Sequence, residues 1–493
     1  MSMTYDTIIV GGGSGGCVAA ARLSEDADHR VLLLEAGPDY RAAELPDELR
    51  TLFRPVAFPH EWDHDVATAG ARRVIYRQAR TIGGGSSVNG GVALRAEPAD
   101  FERWPKGWSW DEMLPYFRHI ENDAQFGGAA YHGNSGPIPV TRWASEDWSP
   151  VQQGFHSACL ELGFNDCEDL NAPDTTGVGA IPMNRDDMAR ISCAIAYLEP
   201  ARGRANLDVR GDAHVRRVVI EGGRAVGVEL ASGEHLAAGT VVVSAGVLQS
   251  PTLLWRSGVG PADRLGSLGI EVAADSPNVG ARFTDHYVVN FSNAIDPRFH
   301  QRGAAPLQTI LKARAEGSAI VGGNDLHFTP FVERNEVGGY ELAISVSLQV
   351  PLGPSGTVAA ASFDPHCPGD VNFPFPGEPE NVRRVRWGVR NAARICQRSG
   401  LSSDTEGLKR WLEMGDAEID AHMLAVHGAF YHGAGTCGMG DDDDAVCDPN
   451  CRVRGVEGLC VIDASAAPHV PRTNTNLMVI ALAEHACDRM HQG

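Results

Sequence analysis

The chain has 493 residues, with 42 Lys and Arg against 63 Asp and Glu, a formal charge of -21. That acidity, without a basic stripe or arm, disfavours nucleic acid and anionic membrane as partners, and the length predicts two or three packed units or one large core with insertions. Hydrophobic residues make up 43% and charged residues 21%, a globular balance, and 56 glycines predict tight turns and close backbone approaches to something bound.

Spanning a bilayer takes roughly 20 apolar residues, and the stretch Leu477 to Ala483 is too short. The opening MSMTYDTIIV has no basic patch followed by an apolar run and leads into a strand pattern, so no secretory leader is expected. Eleven cysteines, an odd number scattered along the chain, fit reduced thiols rather than a disulfide framework. The expectation is a soluble cytoplasmic protein without membrane insertion, whose charge suits a monomer or a dimer equally.

Tyr5 to Val10 predicts a buried strand that runs into GGGSGG, where Gly11, Gly13 and Gly16 stand at the G-x-G-x-x-G spacing, and CVAAARLSED continues as a helix. The first glycine permits the turn, the second lets backbone N–H groups approach a pyrophosphate, and the third lets the helix pack on the strand. Ser14 and Gly15, in the same loop, are expected at that cofactor. RVLLLEAG supplies a second strand ending in Glu35, nineteen residues after Gly16, where a carboxylate accepts from ribose hydroxyls, with Ala36 beside it. The unit predicts dinucleotide binding; a Gly-rich turn holding nothing is the plainer alternative. FAD and NAD both fit, whereas Glu35 argues against a 2′-phosphate and hence NADP.

RTIGGGSSVN (80–89), followed by GGVALRAEPADFERW, carries enough small residues for a backbone to lie against a flat ring or a phosphate, and Asn89 adds a directed amide contact. Through Gly83, Gly84, Ser86, Val88, Asn89, Ala93 and Ala96 this segment resembles the first signature of the glucose–methanol–choline (GMC) flavoprotein oxidoreductases. The resemblance implies FAD, with Gly84, Ser87, Val88, Asn89, Gly90, Gly91 and Val92 around it. Some members carry at the place of Val88 a histidine joined covalently to the flavin; valine implies a noncovalent cofactor.

GVLQSPTLLWRSGVG (246–260) resembles the second signature, with Ser250, Pro251, Leu253, Leu254, Ser257, Gly258 and Gly260 in place and Val247 where a smaller residue is usual. It predicts a strand over 240–244 leading to a turn and a helix. PNVGARFTDH (277–286) is similar to the family's turn out of the cofactor domain, and HGNSGPIPV (132–140) also matches. RISCAIAYLEPARGRANLDVR (190–210) reads as helix, loop and strand. DAHVRRVVIEGGRAVGVEL patterns as strand–turn–strand; the resemblance implies that the backbone at Val215 contacts the adenine, and an ordinary hairpin fits the pattern as well.

Alternating apolar stretches from Tyr287 to Val350 predict an antiparallel sheet, expected as the wall facing a substrate. The Pro-rich stretch 364–380 reads as a long surface connection, followed by a helix through VRRVRWGVRNAARICQ. No repeat or low-complexity linker divides the chain. The expected fold class is therefore α/β (α+β overall): a discontinuous Rossmann-type FAD-binding domain from 1–140, 205–286 and 430–493, and a substrate-binding domain on an antiparallel sheet from 141–204 and 287–429.

The segment from Phe430 to Met478 brings His432 and Asn474 into one stretch; an imidazole can take a proton and a carboxamide can donate to the oxygen that loses it. A lone histidine in a Gly-rich loop is more often a structural hydrogen-bonder. The resemblance implies that His432 is the base and that Asn474, 42 residues on, completes the pair, while Asp463 in VIDASAAP, with Ala464 beside it, contacts the flavin. In the implied mechanism neutral His432 takes the hydroxyl proton of a primary or secondary alcohol, hydride passes to flavin N5, and Asn474 donates to the developing alkoxide. A helix from about Leu477, capped by Thr475 and Asn476, would point its positive end at the ring. Phe430 and Tyr431 are candidates for the pocket wall, whereas Trp104, Trp108 and Trp110 read as packing aromatics.

No metal is expected. His427, His432, Cys437, Cys447 and Cys451 match no zinc spacing, and the run 441–444 lacks the spaced ligands of a calcium loop. The partners implied are a small-molecule alcohol and an electron acceptor, oxygen or a quinone, cytochrome or other carrier. Two further classes stay open: a hydroxynitrile lyase of the same fold, which binds flavin without redox use, and a protein that merely retains flavin.

Overall fold

Strand Tyr5–Val10 is buried from Thr7 onward and lies between two parallel partners, Val31–Leu34 and His235–Val243, with Ile8 opposite both Leu32 and Val241. A strand covered on both faces reads as a continuous apolar run, and the β-branched Ile and Val fill that pleat. The structure is a computed structural model that describes residues 5–52, 60–62, 65–67, 73–335, 338–353, 356–375 and 377–492. Residues 1–4, read above for a leader, and Pro376 of the Pro-rich stretch lie outside the described residues.

Leu207–Arg210 and Leu459–Val461 extend this sheet in parallel, and Arg224–Leu230 and Val215–Glu221 continue it antiparallel, giving seven strands. The parallel strands end on one edge, where Gly11, Glu35, Ser244 and Ile462 follow them. A crevice outside the carboxyl ends of such strands is where an open α/β sheet binds ligands.

Helices Ser14–Leu23 and Thr475–Gln492 pack in the same core as this sheet, through residues such as Val18, Ala19, Met478 and Leu482. Gly16 sets the closeness: a Cβ there would lie 1.9 Å from the Gly11 carbonyl oxygen. Cys193, Tyr197, Leu198 and Ala201 belong to this core too. The helix expected in that stretch is a wide π turn, Ala194–Leu198, followed by Glu199–Ala201. Pro200 has no N–H with which to continue a regular ladder.

The final helix begins at Thr475, earlier than expected, so Thr475 and Asn476 form its first turn instead of capping it. Asn476 turns outward: its Oδ1 accepts from Ser14 Oγ at 3.2 Å and its Nδ2 donates to Asn184 Oδ1 at 3.4 Å.

The second sheet has six strands in the order Gly428–Ala429, Tyr287–Ala294, Tyr340–Leu348, Leu326–Arg334, Thr309–Ala313 and Gly177–Ala180, every pair antiparallel. Helix Pro379–Ser399 buries Val385, Val389 and Ile395 in one core with Phe291, Phe328, Ile344 and Val346 of the sheet. The Pro-rich stretch is more than a surface connection. Asp370–Asn372 pairs with Thr357–Ala359 and Asp65–Ala67, and the alternating VNFPF buries Phe373 and Phe375, with Phe373 stacked on Tyr287 at 4.3 Å. Among the described residues no helix is long and apolar enough to cross a membrane.

Candidate active site

A cleft of about 600 Å³ opens at the carboxyl ends of the parallel strands. Gly11, Gly13, Ser14, Gly15, Glu35 and Ala36 line one wall. Gly84, Val88, Asn89, Gly90 and Val92 line another, and Val215 is also at the surface of the cleft. Asp463, Ala464, Thr475 and Asn476 join His432 and Asn474 in the same cleft. Three residues expected to face a cofactor stand behind its wall. Gly16 is pressed against Gly11, Ser87 Oγ donates to the Ile82 carbonyl at 2.8 Å, and Gly91 donates its N–H to Asn89 Oδ1 at 2.9 Å beside Leu52. They shape the wall and do not reach the cleft.

The donor set suits a dinucleotide. Helix Ser14–Leu23 has no side-chain cap, so its N-terminal N–H groups are open to an anion. Glu35 accepts the N–H of Gly12 on Oε2 and of Gly37 on Oε1, both at 2.8 Å, which leaves further lone pairs on both oxygens for hydroxyl donors. The two glycine loops touch: Gly84 has φ +52°, and a Cβ there would lie 2.6 Å from Gly13 Cα. Asp463 lines the cleft, and its carboxylate is taken up by the protein. It accepts from Gly246 N at 2.8 Å, Ser250 Oγ at 2.6 Å, and Ser465 N and Oγ at 2.8 and 2.5 Å, and so anchors the start of helix Gly246–Arg256.

His432 follows a short strand, Gly428–Ala429, hydrogen-bonded to Tyr287 and Val288 of the second sheet. Between the strand and His432 the chain turns through Tyr431, whose φ of +61° is left-handed, an uncommon conformation for a bulky residue. The turn aims His432 across the cleft at Asn474, whose Nδ2 lies 3.0 Å from His432 Nε2. Burial, with His286 alongside, pushes the imidazolium of His432 well down, so the ring is neutral and holds a lone pair. Phe430 packs on it with ring centroids 5.1 Å apart.

The GMC oxidoreductase N-terminal family model matches residues 5–288 and the C-terminal model residues 353–483. The chain belongs to the GMC oxidoreductase family. It is 36% identical over 496 residues to an uncharacterized GMC-type oxidoreductase of Rhodococcus erythropolis, covering 98% of this chain and 97% of that one. It is 32% identical over 543 residues to the 5-(hydroxymethyl)furfural oxidase of Methylovorus sp., covering 98% of each. Among solved structures it is similar to pyridoxine 4-oxidase from Mesorbium loti, with a TM-score of 0.87 at 28% identity over 99% of this chain and 100% of that chain. The chain is thus a GMC enzyme of FAD-dependent oxidation at CH–OH groups.

This GMC oxidoreductase holds His432 with residues that the sequence reading missed. Asp285 Oδ1 accepts the backbone N–H of His432 at 2.9 Å and of His286 at 2.6 Å, and Tyr76 donates to Oδ2. Burial pushes the Asp285 carboxyl up to about 7, while Tyr76 and the N–H groups of His432, His286 and Tyr431 hold the anion. His286 Nδ1 lies 3.0 Å from His432 Nδ1. At another part of the cleft His214, beside Val215, was also missed; it meets Trp62 edge-on at 5.3 Å, and burial and Arg256 push it down to about 4. An exposed-looking TDH turn and a DAHV strand start gave no periodic signal for either.

One further ionisable cluster lies away from the cleft. Glu121, Asp123 and His132 are close enough to hold a metal, but His132 Nδ1 and Nε2 already face Glu121 and Asp169, each at 2.9 Å, and Arg142 reaches Asp123 at 2.9 Å. The carboxylates push His132 up against its burial, and a ring donating from both nitrogens has no lone pair for a cation. The set His427, His432, Cys437, Cys447 and Cys451 forms no such group among the described residues.

Proposed function

We propose that the protein oxidises an uncharged primary or secondary alcohol, on a ring or an apolar chain, to the aldehyde or ketone, with His432 as base and Asn474 as the donor to the developing alkoxide. The observation that carries this is the 3.0 Å approach of Asn474 Nδ2 to His432 Nε2 in the cleft shared with both glycine loops. A hydroxyl oxygen seated against both nitrogens, in place of their mutual contact, would give its proton to the imidazole and receive the amide N–H where charge develops.

Gly11, Gly13, Ser14 and Gly15 would hold the diphosphate of FAD, Glu35 the ribose, and Val88 to Gly90 with Val92, Ala464 and Asn476 the ring system. Bound FAD supplies the acceptor for the hydride released from the alcohol carbon. Val88 offers no nucleophile for a covalent link, which supports noncovalent binding. His432 keeps its lone pair because burial opposes its cation, and Phe430 covers it against water.

Uncharged alcohols are preferred because Glu61, at the cleft, is engaged by Arg77 at 2.8 Å. A cationic alcohol would need a free carboxylate or an aromatic cage. Relatives named for furfural and pyridoxine agree with an uncharged alcohol and relatives named as choline dehydrogenases, 31–33% identical, with a cationic one, so the preference rests on Glu61. Oxygen or a quinone or other carrier takes the electrons. The eleven cysteines are unpaired thiols, which supports a reducing, cytoplasmic setting. We keep the two-domain division, with 193–201 joined to the FAD-binding unit in whose core it packs.

The test is anaerobic mixing of the FAD-loaded protein with furanic, aryl, aliphatic and cationic alcohols while flavin absorbance is followed, then admission of air. Bleaching by uncharged alcohols is expected; fast recovery in air marks an oxidase and slow recovery a dehydrogenase. No bleaching by any alcohol would overturn the proposal in favour of a lyase or a flavin-retaining protein.

A further inference from the structure

His286 is fully buried, and its two ring nitrogens have one partner each. Nε2 lies 2.7 Å from the carbonyl oxygen of Pro471, which can only accept, so this nitrogen carries a hydrogen. Nδ1 lies 3.0 Å from Nδ1 of His432. Two nitrogens at that distance need one hydrogen between them, and which ring supplies it decides which nitrogen of the base is bare.

If His286 supplied it, His286 would be an imidazolium. Among the described residues no carboxylate touches its ring. Its contacts are a neutral carbonyl and a second imidazole, and burial pushes it down to about 4. The neutral ring, with hydrogen on Nε2, has its lone pair on Nδ1. The hydrogen between the rings therefore belongs to His432 Nδ1, and the lone pair of His432 sits on Nε2, the nitrogen facing Asn474.

We propose that His286 is the positioning residue that fixes His432 in the Nδ1–H form, so that the bare Nε2 points into the cleft. This rests on the reading of His432 as the base. When that nitrogen takes the alcohol proton, the O–H bond breaks, an Nε2–H bond forms, and the His432–His286 hydrogen bond becomes charge-assisted without moving a heavy atom. Other charged or titratable groups facing the pair are few: Asp285, bonded to both backbone N–H groups with Tyr76 behind it, and His327 on strand Leu326–Arg334 with Lys312 beyond.

The experiment has a spectroscopic and a kinetic arm on the FAD-loaded protein. Nitrogen-15 NMR of histidine-labelled protein, assigned with His432→Gln and His286→Phe, is expected at pH 8 to show His432 protonated on Nδ1 and bare on Nε2, and His286 the reverse. His286→Phe removes the acceptor. The limiting rate of flavin bleaching should then fall about tenfold to a hundredfold, with alcohol affinity within about threefold and the pH profile of the rate displaced. His286→Asn places a carbonyl oxygen near the lost Nδ1 and should restore part of the rate.

A His432 protonated on Nε2 in the unaltered protein would overturn the proposal, as would Phe and Asn variants with equal rates and unchanged pH profiles. The NMR arm decides even if His286→Phe fails to fold. If no alcohol bleaches the unaltered protein, the proposed function fails while the tautomer assignment still stands or falls on its own spectrum.

Discussion

Tyr76 donates its phenolic hydrogen to Asp285 Oδ2 across 2.5 Å, and its oxygen accepts the backbone N–H of Gly433 at 3.1 Å. Together with the hold of Asp285 on the N–H of His432, this pins two consecutive peptide units of the base's loop to one buried carboxylate. Beyond that clamp lies the left-handed Tyr431, so the position of the imidazole depends on Asp285 and Tyr76 as well as on its own turn.

Removing the phenol hydroxyl should therefore loosen the base. Tyr76→Phe leaves the Gly433 N–H unpartnered and deprives a buried carboxylate of a donor, a loss of about 1.5–3 kcal/mol for a bond to a charged group. A thermal melt lowered by a few degrees and flavin bleaching slowed about tenfold are expected. Unchanged values of both would show that the backbone alone holds the turn.

The two residues flanking a hydroxyl should differ in what their loss does. His432→Gln removes the proton acceptor proposed for the reacting oxygen, and the limiting rate of anaerobic bleaching should fall about 10³-fold. Asn474→Ala removes one donor to the developing charge and should cost about 10²-fold. Stopped-flow reduction of the variants, compared at saturating alcohol, checks the order; an Asn474 loss exceeding that of His432 would move the base elsewhere.

The opening strand–turn–helix–strand unit was legible in the sequence because its signals are local: a continuous apolar run, glycines at fixed offsets, and Glu35 closing the next strand. The alternation from Tyr287 to Val350 gave the second sheet for the same reason. What stayed hidden was assembled across the chain. Asp285, His286 and Tyr76 meet the base only because Gly428–Ala429 pairs with Tyr287 and Val288, a contact between segments some 140 residues apart. The start of the final helix was misplaced since Thr475 and Asn476 look like caps, whereas Asn476 is drawn to Ser14 by the loop at the other end of the chain.

The cofactor should leave on denaturation. Acid precipitation is expected to send all the yellow colour into the supernatant, since Val88 forms no bond to it; colour in the pellet would mean a covalent link at another side chain. Gly16→Ala tests how the phosphate loop is built. Its Cβ would lie 1.9 Å from the Gly11 oxygen, and such overpacking costs typically about 1–3 kcal/mol. The flavin-to-protein absorbance ratio should drop although Gly16 does not face the cleft. An undiminished ratio would mean that the helix moves away without disturbing the loop.

Acid should destabilise the fold, and the sign follows from which groups are buried neutral. Burial pushes His214, His286, His469 and His485 each down to about 4. An unfolded histidine titrates near 6.5, so below that pH the unfolded chain takes up protons that the folded one refuses. Their contribution is fully present above about pH 6.5 and is lost as pH falls toward 4. Asp100 and Asp285, pushed up to about 7 by burial, act oppositely: their contribution is greatest at low pH and is lost as pH rises through 7. Between pH 6.5 and 4 seven imidazoles are pushed down, His327, His422 and His432 among them, against five carboxyls pushed up, with Glu35, Asp463 and Glu484 joining Asp100 and Asp285, and His132, also pushed up; the carboxylates of Asp169, Glu229 and Glu380, held down by their partners, add to the side that acid weakens. The melting temperature of the FAD-loaded protein should fall across that window. His485→Gln should flatten the fall by removing one of the seven histidines, and Asp285→Asn should steepen it by removing an opposing group. A melting temperature that rises on acidification to pH 5 would mean that the buried carboxyls outweigh the histidines.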